Sequence, residues 1–264
     1  MDHVGPSAER LADWALSRGV SAMTTVEVAR TLGVSTSQVP ERLARPQDRV
    51  EWVTPARGLW VPVSPEYRGW GGPPASELVG LLMDYLKAPY YVGWLAAAAT
   101  YGATHHAPQV TDVATTKQVR NRTIGRVRLE FHCRSQADRL PVVERMAAPG
   151  PYRVSTPEVT ALDLVSGLNI GGRLGNVATV VADLATETGL DDDELVAVAP
   201  SFGHAAVRRV GWLVERLTEH RLDGLHAYAT TLPPQPSFLK PTAERVGSID
   251  TRWNLCLNSP VEVE

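Results

Sequence analysis

Residues 24–43 read TTVEVARTLGVSTSQVPERL, and the punctuation of that stretch decides how the chain begins. Thr24 and Glu27 have the spacing of a capping box, in which a hydroxyl and a carboxylate each satisfy an amide left without a partner by the first helical turn. A helix continues through Leu32, and Gly33 suits the left-handed residue that closes one. The next helix starts at Ser35 or Ser37 and runs through Val39, Arg42 and Leu43. Pro40 is tolerated only in a first turn, which favours Ser37 as the cap, and Pro46 ends the helix. Upstream, Leu11, Trp14, Ala15 and Leu16 give residues 7–17 one apolar helical face, closed by Gly19. Three short helices, with the tight turn Gly33-Val34-Ser35 between the second and third, form a helix-turn-helix pattern.

In that pattern the third helix presents Thr36, Ser37, Gln38, Glu41, Arg42 and Arg45 to a DNA major groove. Glutamine and arginine can pair bidentately with adenine and guanine edges there. Downstream, the β-branched and aromatic runs 49–54 and 59–63 flank Pro55-Ala56-Arg57-Gly58 and read as a hairpin. Three helices and a hairpin make a winged helix-turn-helix over residues 1–68, with Arg57 at the wing tip, where arginine tracks phosphate or a minor groove. Modules of this shape also dock proteins. The segment carries eight arginines against eight acids, so its own charge does not select DNA.

The whole chain, 264 residues with 44% hydrophobic and 21% charged, belongs with soluble globular proteins. Cys133 and Cys256 lack metal-site spacing and fit a reducing compartment. The first residues lack the basic and apolar regions of a signal peptide, and no apolar run approaches the ~20 residues of a membrane span. A cytoplasmic protein is expected. Net charge is −3, but a total hides its distribution. Between 117 and 139 lie Lys117, Arg120, Arg122, Arg126, Arg128, Arg134 and Arg139 against Glu130 and Asp138 alone. Lys117, Arg120, Arg122, Arg126 and Arg128 are therefore candidate phosphate contacts beside the winged helix.

The Gly/Pro-rich stretch 67–74 marks a domain boundary, and residues 75–264 read as a larger mixed α+β domain. Residues 75–87 form a helix with Leu78, Leu81, Leu82 and Tyr85 inward, and the run Ala96 to Ala99 forms a close-packed one. Residues 110–116 and 126–133 are strands, the second alternating Val127, Leu129 and Phe131 with Arg126, Arg128 and Glu130 across a polar connection at 118–123. A longer helical stretch fills the rest. It starts at a capping Thr156 and includes 177–186, 191–198 and 205–219. In the last helix Val207, Val210, Val214 and Leu217 face inward and Arg208, Arg209, Glu215, Arg216 and Glu219 outward. Residues 253–257 form a final strand.

No catalytic, cofactor or metal constellation stands out. The glycines at 167–175 follow a helix and lack Gly-Lys-Ser/Thr, so a helix–helix connection outweighs a phosphate loop. His105 and His106 are adjacent, a poor geometry for one metal. His132 and Cys133 fall on opposite strand faces. The chain reads as a binding protein and not an enzyme.

The stretch 90–103, YYVGWLAAAATYGA, resembles a characteristic stretch of AbiEi-type antitoxins, the regulatory halves of type IV toxin–antitoxin systems. Arg57-Gly58-Leu59-Trp60-Val61-Pro62 is similar to that family's wing, and residues 156–164 and 172–181 to its helical region. The resemblance implies a repressor that binds inverted repeats in the double-stranded promoter DNA of its own two-gene operon, with no cofactor. The partner gene would encode a nucleotidyltransferase-like toxin, often without a stable complex. The N-terminal domain would carry autoregulation and the C-terminal one antitoxicity. Kinase-like modification of the toxin and direct sequestration are the alternatives. Pro40 and Pro46 depart from the family's uninterrupted recognition helix.

Overall fold

The computed structural model describes residues 5–44, 50–104 and 107–262, so Arg45, Pro46, His105 and His106 lie outside the described residues. The architecture is mixed α+β, as expected. The chain divides into two compact units, neither contiguous in sequence. Unit one takes residues 1–90, 109–134 and 144–153; unit two takes 91–108, 135–143 and 154–264.

Unit one opens with α1 (Leu11–Leu16), shorter than the apolar spacing suggests, then β1 (Met23–Thr24) and α2 (Thr25–Leu32). A 3-10 turn, Thr36–Gln38, leads into α3 (Val39–Leu43). Leu11, Ala15, Met23, Val28, Ala29, Val39 and Leu43 form one buried cluster that holds these pieces together. The cap of the third helical segment is Ser35, not Ser37. Ser35 has an extended backbone, and its amide and hydroxyl both donate to Gln38 Oε1 at 3.1 Å. A three-residue 3-10 turn precedes α3, which moves the cap two residues upstream and leaves Pro40 in the first turn of α3.

β2 (Trp52–Ala56) and β3 (Leu59–Pro62) are antiparallel, and β1 adds to β3 in the order β1-β3-β2. Pro55 belongs to β2 and not to the turn. The strand lies at the sheet edge and its register is broken between Val53 and Ala56, so the missing N–H interrupts no ladder bond. Because Ala56 opposes Leu59, the turn is Arg57-Gly58 alone, with Gly58 at φ +87°.

After a 3-10 segment, Pro65–Trp70, α4 (Ala75–Tyr85) buries Leu78, Val79, Leu82 and Met83. This face is rotated from the expected one: Leu81 is half-buried and Tyr85 is exposed. The chain then runs through β4 (Tyr90–Val92) and α5 (Trp94–Thr100), which buries Ala97 and Ala98, and returns to unit one as β5 (Thr111–Thr115), β6 (Arg122–Ile124) and β7 (Val127–Cys133). These three strands neighbour in the order β6-β7-β5, with β5 parallel and β6 antiparallel to β7. The polar connection expected at 118–123 thus contains a strand. β6 is an edge strand, where charged side chains reach solvent and a polar sequence is compatible with pairing. β8 (Val142–Ala147) and β9 (Gly150–Ser155) form a hairpin absent from the sequence reading, and Val154 of β9 opposes Val92 of β4 in parallel.

Unit two is mostly helical: α6 (Pro157–Ser166), α7 (Leu174–Thr188), α8 (Asp192–Val198), α9 (His204–Leu217) and α10 (Asp223–Thr230). A small sheet follows, of β10 (Ser237–Phe238), β11 (Ser248–Asp250) and β12 (Leu255–Leu257), in the order β10-β12-β11. Thr156 caps α6 by accepting from the Val159 amide, as its spacing predicts. α6 is buried from Glu158 to Val165 and packs against α5, α7 and α9, so it is the centre of this unit. The glycines of 167–175 fall in the connection from α6 to α7 and in the first turn of α7. No helix among the described residues is long and apolar enough to cross a membrane.

On α9 the valines are inside as expected, but Arg208 and Arg209 are too, at 2% and 6% exposure. α9 is surrounded by α6, α7, α10 and the small sheet, so no wide solvent face remains. The guanidinium groups are accommodated by backbone carbonyls. Arg208 donates to Pro233 and Gln235, and Arg209 to Val165 and Phe238.

Glu215, also expected outside, has a side chain only 9% exposed. Burial pushes its pKa up, but hydrogen bonds from Arg252, the Leu222 amide and Trp253 outweigh that and hold it below the ordinary glutamate value. Stability from this ionised carboxylate is fully present above the unfolded pKa of about 4.3 and is lost as pH falls through the lower folded value. Glu215→Gln is expected to cost about 2 kcal/mol at pH 7. Urea midpoints from pH 7 to 3 should show the gap to wild type narrowing with acid; a constant gap would assign the cost to packing.

Candidate nucleic-acid interface

Part of the polar surface predicted from sequence is carried by α2, α3 and the β2–β3 hairpin. Thr24 and Glu27 make the reciprocal cap in full. The Thr24 amide donates to Glu27 Oε2 at 2.6 Å, its hydroxyl donates to the same oxygen at 2.8 Å, and the Glu27 amide donates back to Thr24 Oγ1 at 3.3 Å. The amide bond, then the hydroxyl, holds the Glu27 carboxyl below the usual range. Gly33 closes α2 at φ +66°, the left-handed conformation its position requires.

With α2 anchored, burial of Val39 and Leu43 fixes which side of α3 meets solvent. Thr36, Ser37, Gln38, Glu41 and Arg42 are all exposed. Gln38, Glu41 and Arg42 line one open depression of about 460 Å³ together with Ala8 and Glu9. The carboxylates of Glu9 and Glu41 give that depression a mixed character: Arg42 supplies donors, while Glu41 can accept from a cytosine amine.

The Arg57-Gly58 turn is held by its backbone. The Gly58 carbonyl accepts from the Thr25 amide at 2.9 Å, and the Arg57 carbonyl from the Tyr85 hydroxyl at 3.0 Å. Trp60 Nε1 also donates to Thr25 Oγ1 at 2.9 Å, which ties β3 to the start of α2. The Arg57 side chain remains exposed.

The basic segment lies in the same compact unit as α3 and the hairpin. Arg120, Arg126 and Arg128 are exposed. Lys117 is exposed along its chain while its ammonium donates to the Leu86 carbonyl at 3.1 Å. Arg122 does something different. Its Nε donates to the Pro55 carbonyl at 2.9 Å and one terminal nitrogen to the Arg120 carbonyl at 2.9 Å, so it braces β2 against β6. Beside it Gly71 meets Gly125 backbone to backbone, and the Arg126 amide donates to the Trp70 carbonyl at 3.1 Å. The hairpin and the basic strands are therefore built onto one another.

Two groups escaped the sequence reading. Arg10, Arg18 and Arg30 line an open depression of about 920 Å³ on α1 and α2, with Arg18 stacked 4.4 Å over the Trp14 ring. Their separation along the chain hid them. Asp112, Glu130 and His132 converge on β5 and β7. Glu130 and His132, two apart on one strand, were a legible signal; Asp112 joins them only through the parallel pairing.

Comparisons with known proteins bear on the whole chain and on residues 91–216, which include pieces of both units. No curated protein is similar enough to match. Among solved structures, the RV2827C protein from Mycobacterium tuberculosis aligns over 95% of this chain and 91% of its own, with a TM-score of 0.66 at 14% identity, a likeness of fold. Tyr91 begins the second segment of the chain, where its hydroxyl donates to the buried Asp163 of α6 at 3.0 Å. From Tyr91 to Arg216, through that centre, residues 91–216 match the family model of the AbiEi antitoxin C-terminal domain, and this part of the chain belongs to the AbiEi antitoxins.

Proposed function

We propose that the chain is the antitoxin of a two-gene toxin–antitoxin operon and the DNA-binding repressor of that operon, its toxin being nucleotidyltransferase-like. The AbiEi domain supports the antitoxin role. One observation carries the DNA-binding part. α3 turns Val39 and Leu43 inward and leaves Gln38, Glu41 and Arg42 on solvent, within the unit that also holds Arg57 and the basic strands. Residues 1–68 then act as a winged helix-turn-helix, with α3 as recognition helix and β2–β3 as wing. Gln38 and Arg42 contact base edges, while Arg57, Lys117, Arg120, Arg126 and Arg128 neutralise phosphate. Arg122 supports the wing.

Fluorescence anisotropy of the full chain with its own upstream duplex and a scrambled duplex tests this. The upstream duplex should bind more tightly at moderate salt. Arg42→Ala should weaken that binding by about 1–3 kcal/mol and relax the preference, whereas Arg126→Ala should weaken both duplexes alike and reduce the salt slope by about 1. Equal affinity of the wild type for the two duplexes would end the repressor reading.

A further inference from the structure

β5 and β7 lie side by side and in parallel, with Asp112 directly opposite Glu130 and Ala114 opposite His132. Alternation along a strand puts Glu130 and His132 on one face of β7, and the register puts Asp112 on that same face of the sheet. One ligand atom from each of the three residues lies within 4.8 Å of the others. Asp112 is 5% exposed, Glu130 and His132 half-buried.

Within the cluster itself negative charge is in excess. Carboxylates directly opposite each other on neighbouring strands repel. His132 Nε2 is 2.7 Å from Asp112 Oδ1, but one imidazole brings at most a single positive charge against two negative ones. Among the described residues no hydrogen bond or ion pair reaches the Glu130 carboxylate. Two oxygens and an imidazole nitrogen converging on one point, with negative charge in excess, is the donor set of a divalent cation.

We propose that Asp112, Glu130 and His132 form a binding site for a divalent first-row transition-metal ion. An imidazole with two carboxylates selects zinc, manganese or a neighbour of these over magnesium and calcium, which prefer oxygen alone. At metal–ligand distances of about 2.0–2.2 Å the ligand atoms would sit roughly 3–4 Å apart, so small side-chain rotations close the site. The ion takes the place of the proton that His132 and Asp112 share. That proton moves to Nδ1 of a neutral imidazole or, from an imidazolium, is released to solvent. Three protein ligands leave at least one coordination position for water. Cys133, the neighbouring thiol, is on the opposite face of β7 and takes no part.

The test is calorimetric titration of the chelator-treated, dialysed full-length protein with Zn²⁺, alongside Glu130→Gln, His132→Gln and Cys133→Ser, each checked by thermal melting. One ion per chain is expected for wild type and Cys133→Ser. Glu130→Gln and His132→Gln should each weaken binding at least about tenfold, no less than losing a residue that merely orients a metal ligand. Glu130→Gln relieves a repulsion and should fold even if another variant does not. Excess Mg²⁺ should not compete. No stoichiometric uptake, uptake unchanged in both Glu130→Gln and His132→Gln, or uptake lost in Cys133→Ser would each overturn the assignment.

Discussion

Arg209→Leu should destabilise the protein by about 3–5 kcal/mol, the largest single-residue effect expected in unit two. Its guanidinium is almost wholly buried, and burial lowers its pKa to about 10, still well above neutral pH. Nε and one terminal nitrogen donate to the Phe238 carbonyl at 2.9 and 2.8 Å, and the other terminal nitrogen to the Val165 carbonyl at 3.0 Å. Val165 lies in the last turn of α6, where carbonyls lack helical partners and a cation is favoured by the helix dipole. Leucine fills part of the space but strands both carbonyls, at about 1–3 kcal/mol each. Arg209→Lys should recover less than half of the loss, because a point charge cannot span two acceptors as a planar fork does. Urea unfolding at pH 7 reads both. A loss below about 1 kcal/mol for Arg209→Leu would mean that the carbonyls find other donors.

In unit one the corresponding position is Gly125, and Gly125→Val should cost about 3 kcal/mol or more. Gly125 has φ +55°, where a β-branched residue is strained. A Cβ there would also run into the Trp70 carbonyl oxygen and the Gly71 backbone, neither of which can rotate away. The β6–β7 turn would have to separate from the segment 70–72, taking with it the Arg122 brace on Pro55. On the proposed DNA-binding reading, affinity for the upstream duplex should fall together with stability, although Gly125 has no side chain to contact phosphate. Wild-type stability in Gly125→Val, measured by thermal and urea unfolding, would refute the close approach.

The elements most legible in the sequence were those whose signals are local. Thr24 with Glu27, Gly33, and Thr156 with Val159 all sit where their spacing puts them, because a cap is settled within four residues. The exposed set on α3 was legible for a related reason: Val39 and Leu43 leave little choice of face once α2 is fixed. Arg208 and Arg209 were misplaced because periodicity treats any cation as outward. Whether a guanidinium is buried depends on carbonyls supplied some 30 residues away by the segment 233–238. The β8–β9 hairpin and β6 were missed since their polar alternation resembles a loop until a partner strand covers one side. Arg122 was counted as a phosphate ligand from charge alone; its bond to Pro55 needs a strand register that no local pattern contains. The parallel pairing of β5 with β7 hid Asp112 in the same way.

The division of the chain has a consequence during synthesis. Unit one is assembled from residues 1–90, 109–134 and 144–153, with the two intervening pieces belonging to unit two. At ribosomal rates of about 5–20 residues per second, completing unit one after Tyr90 emerges takes roughly 3–13 seconds. During that interval α4 has made its apolar face but not met β7, which is to cover it. The nascent protein therefore passes through a window in which Leu78, Val79, Leu82 and Met83 lack their final cover and are open to a chaperone or a protease. Supply of functional antitoxin would then be set by how quickly this window closes, as well as by the promoter.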